Sequence, residues 1–114
     1  MISLDDRPIV HEFIVLELAI RSLQQDYLKL EGLKMHGFYS RWTDMLLKRL
    51  NEAYILQKRQ LANKRIRIVR WIKIDAYFSD VIIATAGEDI ALRYANQVLK
   101  AEVEQLLIQK ATSV

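Results

Sequence analysis

Between Ile9 and Ile20 only His11, Glu12 and Glu17 are polar among twelve residues. Within and beyond that stretch, Ile9, Phe13, Leu16, Ile20, Leu23, Tyr27 and Leu30 recur at alternating spacings of four and three, a heptad-like helical seam. The first half is apolar well past the seam, and a helix apolar on most of its circumference needs cover on more than one side. Two arrangements supply it: the rest of the chain wraps the helix, or a second copy covers one face. The helix is read over residues 7 to about 30. Asp5 or Asp6 caps it, and Pro8 sits in a first turn where no intrahelical donor is lost.

A chain of 114 residues suits one domain, here taken as residues 1–114, and its 52% hydrophobic content is enough for a core without staples. Three Gly and one Pro leave little room for long loops. The absence of cysteine removes disulfides, thiolate metal sites and cysteine nucleophiles from consideration. Acids stand near the N-terminus where a signal peptide needs a basic region, and the apolar run from Phe13 to Ile20 is too short to span a bilayer. The expectation is a cytoplasmic protein with no membrane partner.

Gly32 and Gly37 bracket a connection, and a second helix follows from about Tyr39 to Asn63, with a buried stripe of Trp42, Leu46, Leu50, Ala53 and Leu61. Gln57 occupies one stripe position, so this part of the helix is expected to be less covered. Arg65 to Ile74 changes to period two, with β-branched residues at even positions. Arg65, Arg67, Val69, Trp71 and Lys73 stand at the odd ones. Val81 to Thr85 reads as a partner strand in a hairpin around residues 75–80. Thr85-Ala-Gly-Glu88 matches a capping box, so the last helix is read over Glu88 to Gln109, with Leu92, Ala95, Leu99, Val103 and Leu106 inward. The predicted fold is α+β in the order α-α-β-β-α, with two long helices, an antiparallel hairpin and a C-terminal helix.

Enzyme signatures are absent: there is no nucleophile elbow, phosphate loop, dinucleotide glycine fingerprint or zinc-helix motif. His11-Glu12 opens like a zinc helix, but Val15 stands where the second histidine is needed. Glu17, set among apolar residues, finds its simplest partner in Arg21 four residues on. Asp75, Asp80, Glu88 and Asp89 lack the spacing of a calcium loop and suit turns and caps. No catalytic residue, metal site or cofactor is predicted.

Charge supplies the remaining signal. Lys48 to Lys73 carries nine basic residues against Glu52, a net +8, while residues 1–47 sum to −2 and 74–114 to −3. Four of the nine lie on the second helix, where solvation accounts for them. The others occupy the helix–strand junction and the first strand around Trp71. A strand presenting cations about an exposed aromatic can follow a nucleic-acid backbone and stack a base. The candidate polyanion patch is Lys64, Arg65, Arg67, Arg70, Trp71 and Lys73, which an acidic protein partner also fits. The favoured expectation is a non-enzymatic interaction or regulatory protein that forms a homodimer through Ile9, Phe13, Ile14 and Leu18. A nucleic-acid-binding regulator is the alternative.

Overall fold

A computed structural model describes residues 5–112. Helix α1 spans Arg7–Tyr27, and a single 3₁₀ turn at Leu30–Gly32 leads to α2, His36–Asn63. Strands β1 (Arg67–Lys73), β2 (Phe78–Ala84) and β3 (Asp89–Ala95) follow, and α3, Asn96–Thr112, closes the order α-α-β-β-β-α. The class is α+β as expected. The sheet has three antiparallel strands in the order β1-β2-β3 rather than two.

The third strand occupies the segment read as the start of the last helix. Ile90, Leu92 and Tyr94 alternate with Asp89, Ala91 and Arg93, and this period-two pattern prevails because it completes a sheet over the core. Thr85 and Glu88 close the β2–β3 turn instead of capping a helix. The Thr85 amide and hydroxyl both donate to the Glu88 carbonyl, at 2.9 and 2.7 Å. Asp75 organises the preceding turn, its Oδ1 accepting from the amides of Tyr77 (2.7 Å) and Phe78 (2.8 Å). Asn96, at the start of α3, donates to the carbonyls of Asp75 and Ala76 and so ties that turn to the helix.

Helix α1 is wrapped by its own chain. Val10, Phe13, Ile14 and Ala19 cluster with Leu61 and Ile66, with Val81, Ile83 and Leu92 of the sheet, and with Leu99 and Val103 of α3. On another flank Leu16 and Ile20 pack on Leu50, with Leu106 and Leu107 alongside. This central position accounts for its nearly all-round apolar surface. It also corrects the expected self-association face. Phe13 and Ile14 are buried, and Ile9 and Leu18 are half-buried against the same core.

The junction of α2 with β1 stores local strain. The Arg65 amide donates to the Ala62 carbonyl (2.9 Å) and that of Ile66 to the Leu61 carbonyl (2.9 Å), a Schellman closure in which Leu61 and Ile66 share the core. Arg65 takes the left-handed position, with φ of 60°. A side chain there costs about 1–2 kcal/mol. Arg65→Gly is expected to raise stability by about 1 kcal/mol in urea unfolding, the lost strain exceeding the added unfolded-state entropy.

Candidate interaction surfaces and the buried polar contacts

The basic segment is split by a β-bulge. Ile68 pairs with Ile83 and Trp71 with Val81, so the register shifts across Val69 and the strand changes phase there. Ile83 and Val81 are fully buried, which places both Ile68 and Trp71 on the helix-facing side. Arg67 and Arg70, paired with Ala84 and Ile82, lie on the opposite face. Lys73, paired with Ser79, lies on the helix-facing side at the exposed end of the strand. Lys64 reaches back to Asp6 at 2.9 Å, and Arg65 belongs to the turn. The six residues therefore do not form one surface. The expectation that Trp71 shares a face with Arg65 and Arg67 is corrected by the bulge.

Trp71 instead meets Glu17. Its Nε1 donates to Glu17 Oε2 at 2.7 Å, and the Arg21 guanidinium lies 5.2 Å from the ring centre and 3.8 Å from the same carboxylate. Burial pushes the Tyr54 hydroxyl above its ordinary value, and the Glu17 charge and hydrogen bond add to the shift. The Glu17 carboxylate thus joins α1, α2 and β1. Its expected contact with Arg21 is present, but the indole is the shorter partner. Trp71→Phe removes that donor from a largely covered carboxylate, and a loss of about 1–3 kcal/mol in denaturant unfolding is expected.

His11 has a second constellation. Its Nε2 lies 2.6 Å from Glu102 Oε2, and its Nδ1 lies 3.3 Å from the Tyr94 hydroxyl, with the two rings stacked 5.5 Å apart. Burial raises the Tyr94 pKa, and the Nδ1 edge of the imidazole faces that hydroxyl while the Nε2 edge faces the Glu102 carboxylate. No sequence signal joined these residues, which come from α1, β3 and α3. On the outer sheet face, Asp80 accepts two hydrogen bonds from Arg93, at 2.8 and 3.2 Å, and this guanidinium holds its carboxyl below the usual range. Among the described residues no group of acids and histidines has the arrangement of a metal site. Among the described residues no helix is long and apolar enough to cross a membrane.

A group of exposed apolar side chains lies at the tip of the α1–α2 hairpin. Arg49 donates to the Lys110 carbonyl near the end of α3 (2.8 Å), and α2 extends beyond that contact for more than three turns towards its N-terminus. There Thr43 and Leu46 are buried. Phe38, Trp42 and Met45, spaced four and three apart, form a second stripe roughly a third of a turn around the helix, with Met35 exposed at its N-cap. Phe38 is 61% exposed and Trp42 44%, which corrects the assignment of Trp42 to the buried stripe. Leu28, Leu33 and Tyr39 are exposed at the same tip, beside a cleft of about 420 Å³ lined by Leu30, Leu33, Lys34, Met35 and Tyr39.

No curated protein and no solved structure matches the chain. A family's sequence model does match, over residues 1–112. That covers almost the entire chain, and the protein belongs to the family described as YhjD protein.

Proposed function

We propose that the protein is a non-enzymatic interaction module that forms a homodimer through the tip of its α1–α2 hairpin. The exposed stripe of Phe38, Trp42 and Met45, joined by Met35, Leu28, Leu33 and Tyr39, carries this reading. These seven are each between 38% and 78% exposed, and a cluster of exposed apolar side chains of this kind marks an interaction surface.

Arg41 borders the stripe, whereas Asp44 lies on the far flank of α2, where it accepts from the Tyr27 hydroxyl (3.5 Å). A two-fold axis would set the stripe of one copy against the same stripe of the other, the self-complementary relation of symmetric interfaces. The cleft beside Met35 and Tyr39 offers a seat for an aromatic anchor from the partner, for which Phe38 and Trp42 are suited. Sedimentation of the full chain, with and without acidic substitutions in the stripe, tests the proposal.

Polyanion binding draws less support. Arg67 and Arg70 share the outer sheet face, but Trp71 is engaged by Glu17 on the other side and cannot stack a base between them. The same separation weakens a compact acidic-partner site on the six residues.

A further inference from the structure

Away from the hairpin tip, a half-open groove of about 330 Å³ runs between the three helices. His11, Val15 and Leu16 of α1, Ala53 and Gln57 of α2, and Glu102 and Leu106 of α3 line it, with Glu12, Gln109 and Lys110 contributing. Its size falls at the low end of ligand sites, roughly 300–1,000 Å³. That is room for more than one water, each occupying about 30 Å³.

Its polar groups lean towards acceptors. Gln57 Oε1 is buried in the groove wall without a hydrogen-bond partner. Gln57 stands where the core stripe of α2 calls for an apolar residue, so its amide opens the packing instead of filling it. Glu102 Oε2 is likewise buried and outside hydrogen-bond geometry, although His11 Nε2, its ring stacked on Tyr94, lies 2.6 Å from it. Two carboxylates, Glu12 and Glu102, face one cation, Lys110. An orphaned acceptor beside an oriented carboxylate matches a ligand that only donates, and a primary ammonium has three donors and no acceptor. Val15, Leu16 and Leu106 provide an apolar wall for a short stem.

We infer that this groove binds a small organic ammonium, a primary amine on a short alkyl stem, through the Gln57 carbonyl oxygen and the Glu102 carboxylate. The inference is independent of the dimer, because the groove and the tip stripe share no residue.

Amide NMR of the full chain titrated with n-butylammonium chloride tests it, with n-butanol and tetramethylammonium chloride as comparisons at matched ionic strength. Saturable shifts confined to groove residues are expected, with a Kd on the order of 1 mM. Butanol, which lacks the charge, and tetramethylammonium, which lacks the donors, should bind at least about tenfold more weakly. Gln57→Leu and Glu102→Gln should each weaken butylammonium about tenfold, while Gln57→Glu tightens it. Unchanged amide positions far from the groove report an intact fold. Absence of saturable shifts, equal binding of butanol, or indifference to both Gln57 substitutions would overturn the inference and leave a groove that holds water only.

Discussion

Phe38→Glu/Trp42→Glu is expected to convert the proposed dimer into a folded monomer. Both side chains lie at the centre of the exposed stripe, and neither belongs to the two buried clusters. Glutamate is a good helix former, so α2 should keep its helicity and the thermal transition its cooperativity. In the dimer the same substitutions remove two aromatic anchors and place carboxylates in a desolvated contact. The expected loss is about 4 kcal/mol or more of association free energy, roughly a thousandfold in Kd. Sedimentation velocity with far-ultraviolet circular dichroism separates dissociation from unfolding.

Ile14→Ala has the opposite signature. Ile14 is fully buried between the sheet and the other helices. Truncating an isoleucine in such a place loses transfer free energy and leaves a cavity, together about 2–5 kcal/mol. Small domains hold only about 5–15 kcal/mol in total, so urea unfolding should move far to lower concentration. Association of the remaining folded molecules should be unchanged, because the residue contributes to the monomer core and not to the contact. If Ile14→Ala weakened association while leaving unfolding of a dilute monomer untouched, α1 would be an interface helix after all. The comparison of Ile14 with Phe38 therefore distinguishes the two places where a second copy might attach.

The apolar excess of α1 was legible from residue types, but its cause was not. Periodicity reports that a face is covered without reporting by what, and here a third strand supplies the additional cover. That strand was missed because Leu92, Ala95 and Leu99 also satisfy helical spacing, and because Thr85 and Glu88 suit a capping box and a hairpin turn equally. One unpaired residue, Val69, reverses the phase of everything after it in β1. Period-two reasoning assumes an unbroken register, so it carried Trp71 to the wrong face.

Helix α2 conceals a different ambiguity. Trp42 and Thr43 are adjacent, and hydrophobicity selects the tryptophan for the core. The buried residue is the threonine, 7% exposed, and that choice frees Trp42 for the tip. The mid-helix polarity of Gln57 was visible, and it marks where the groove opens. The contacts of His11 with Glu102 and Tyr94 span most of the chain, beyond the reach of any local pattern.

Sedimentation equilibrium of the wild-type chain at micromolar concentration tests the central claim most directly. The proposed tip contact predicts a mass twice the 13.4 kDa of one chain, falling to a single chain for Phe38→Glu/Trp42→Glu. A wild-type mass of 13.4 kDa at that concentration, or a double mutant that still sediments at twice it, would contradict the claim.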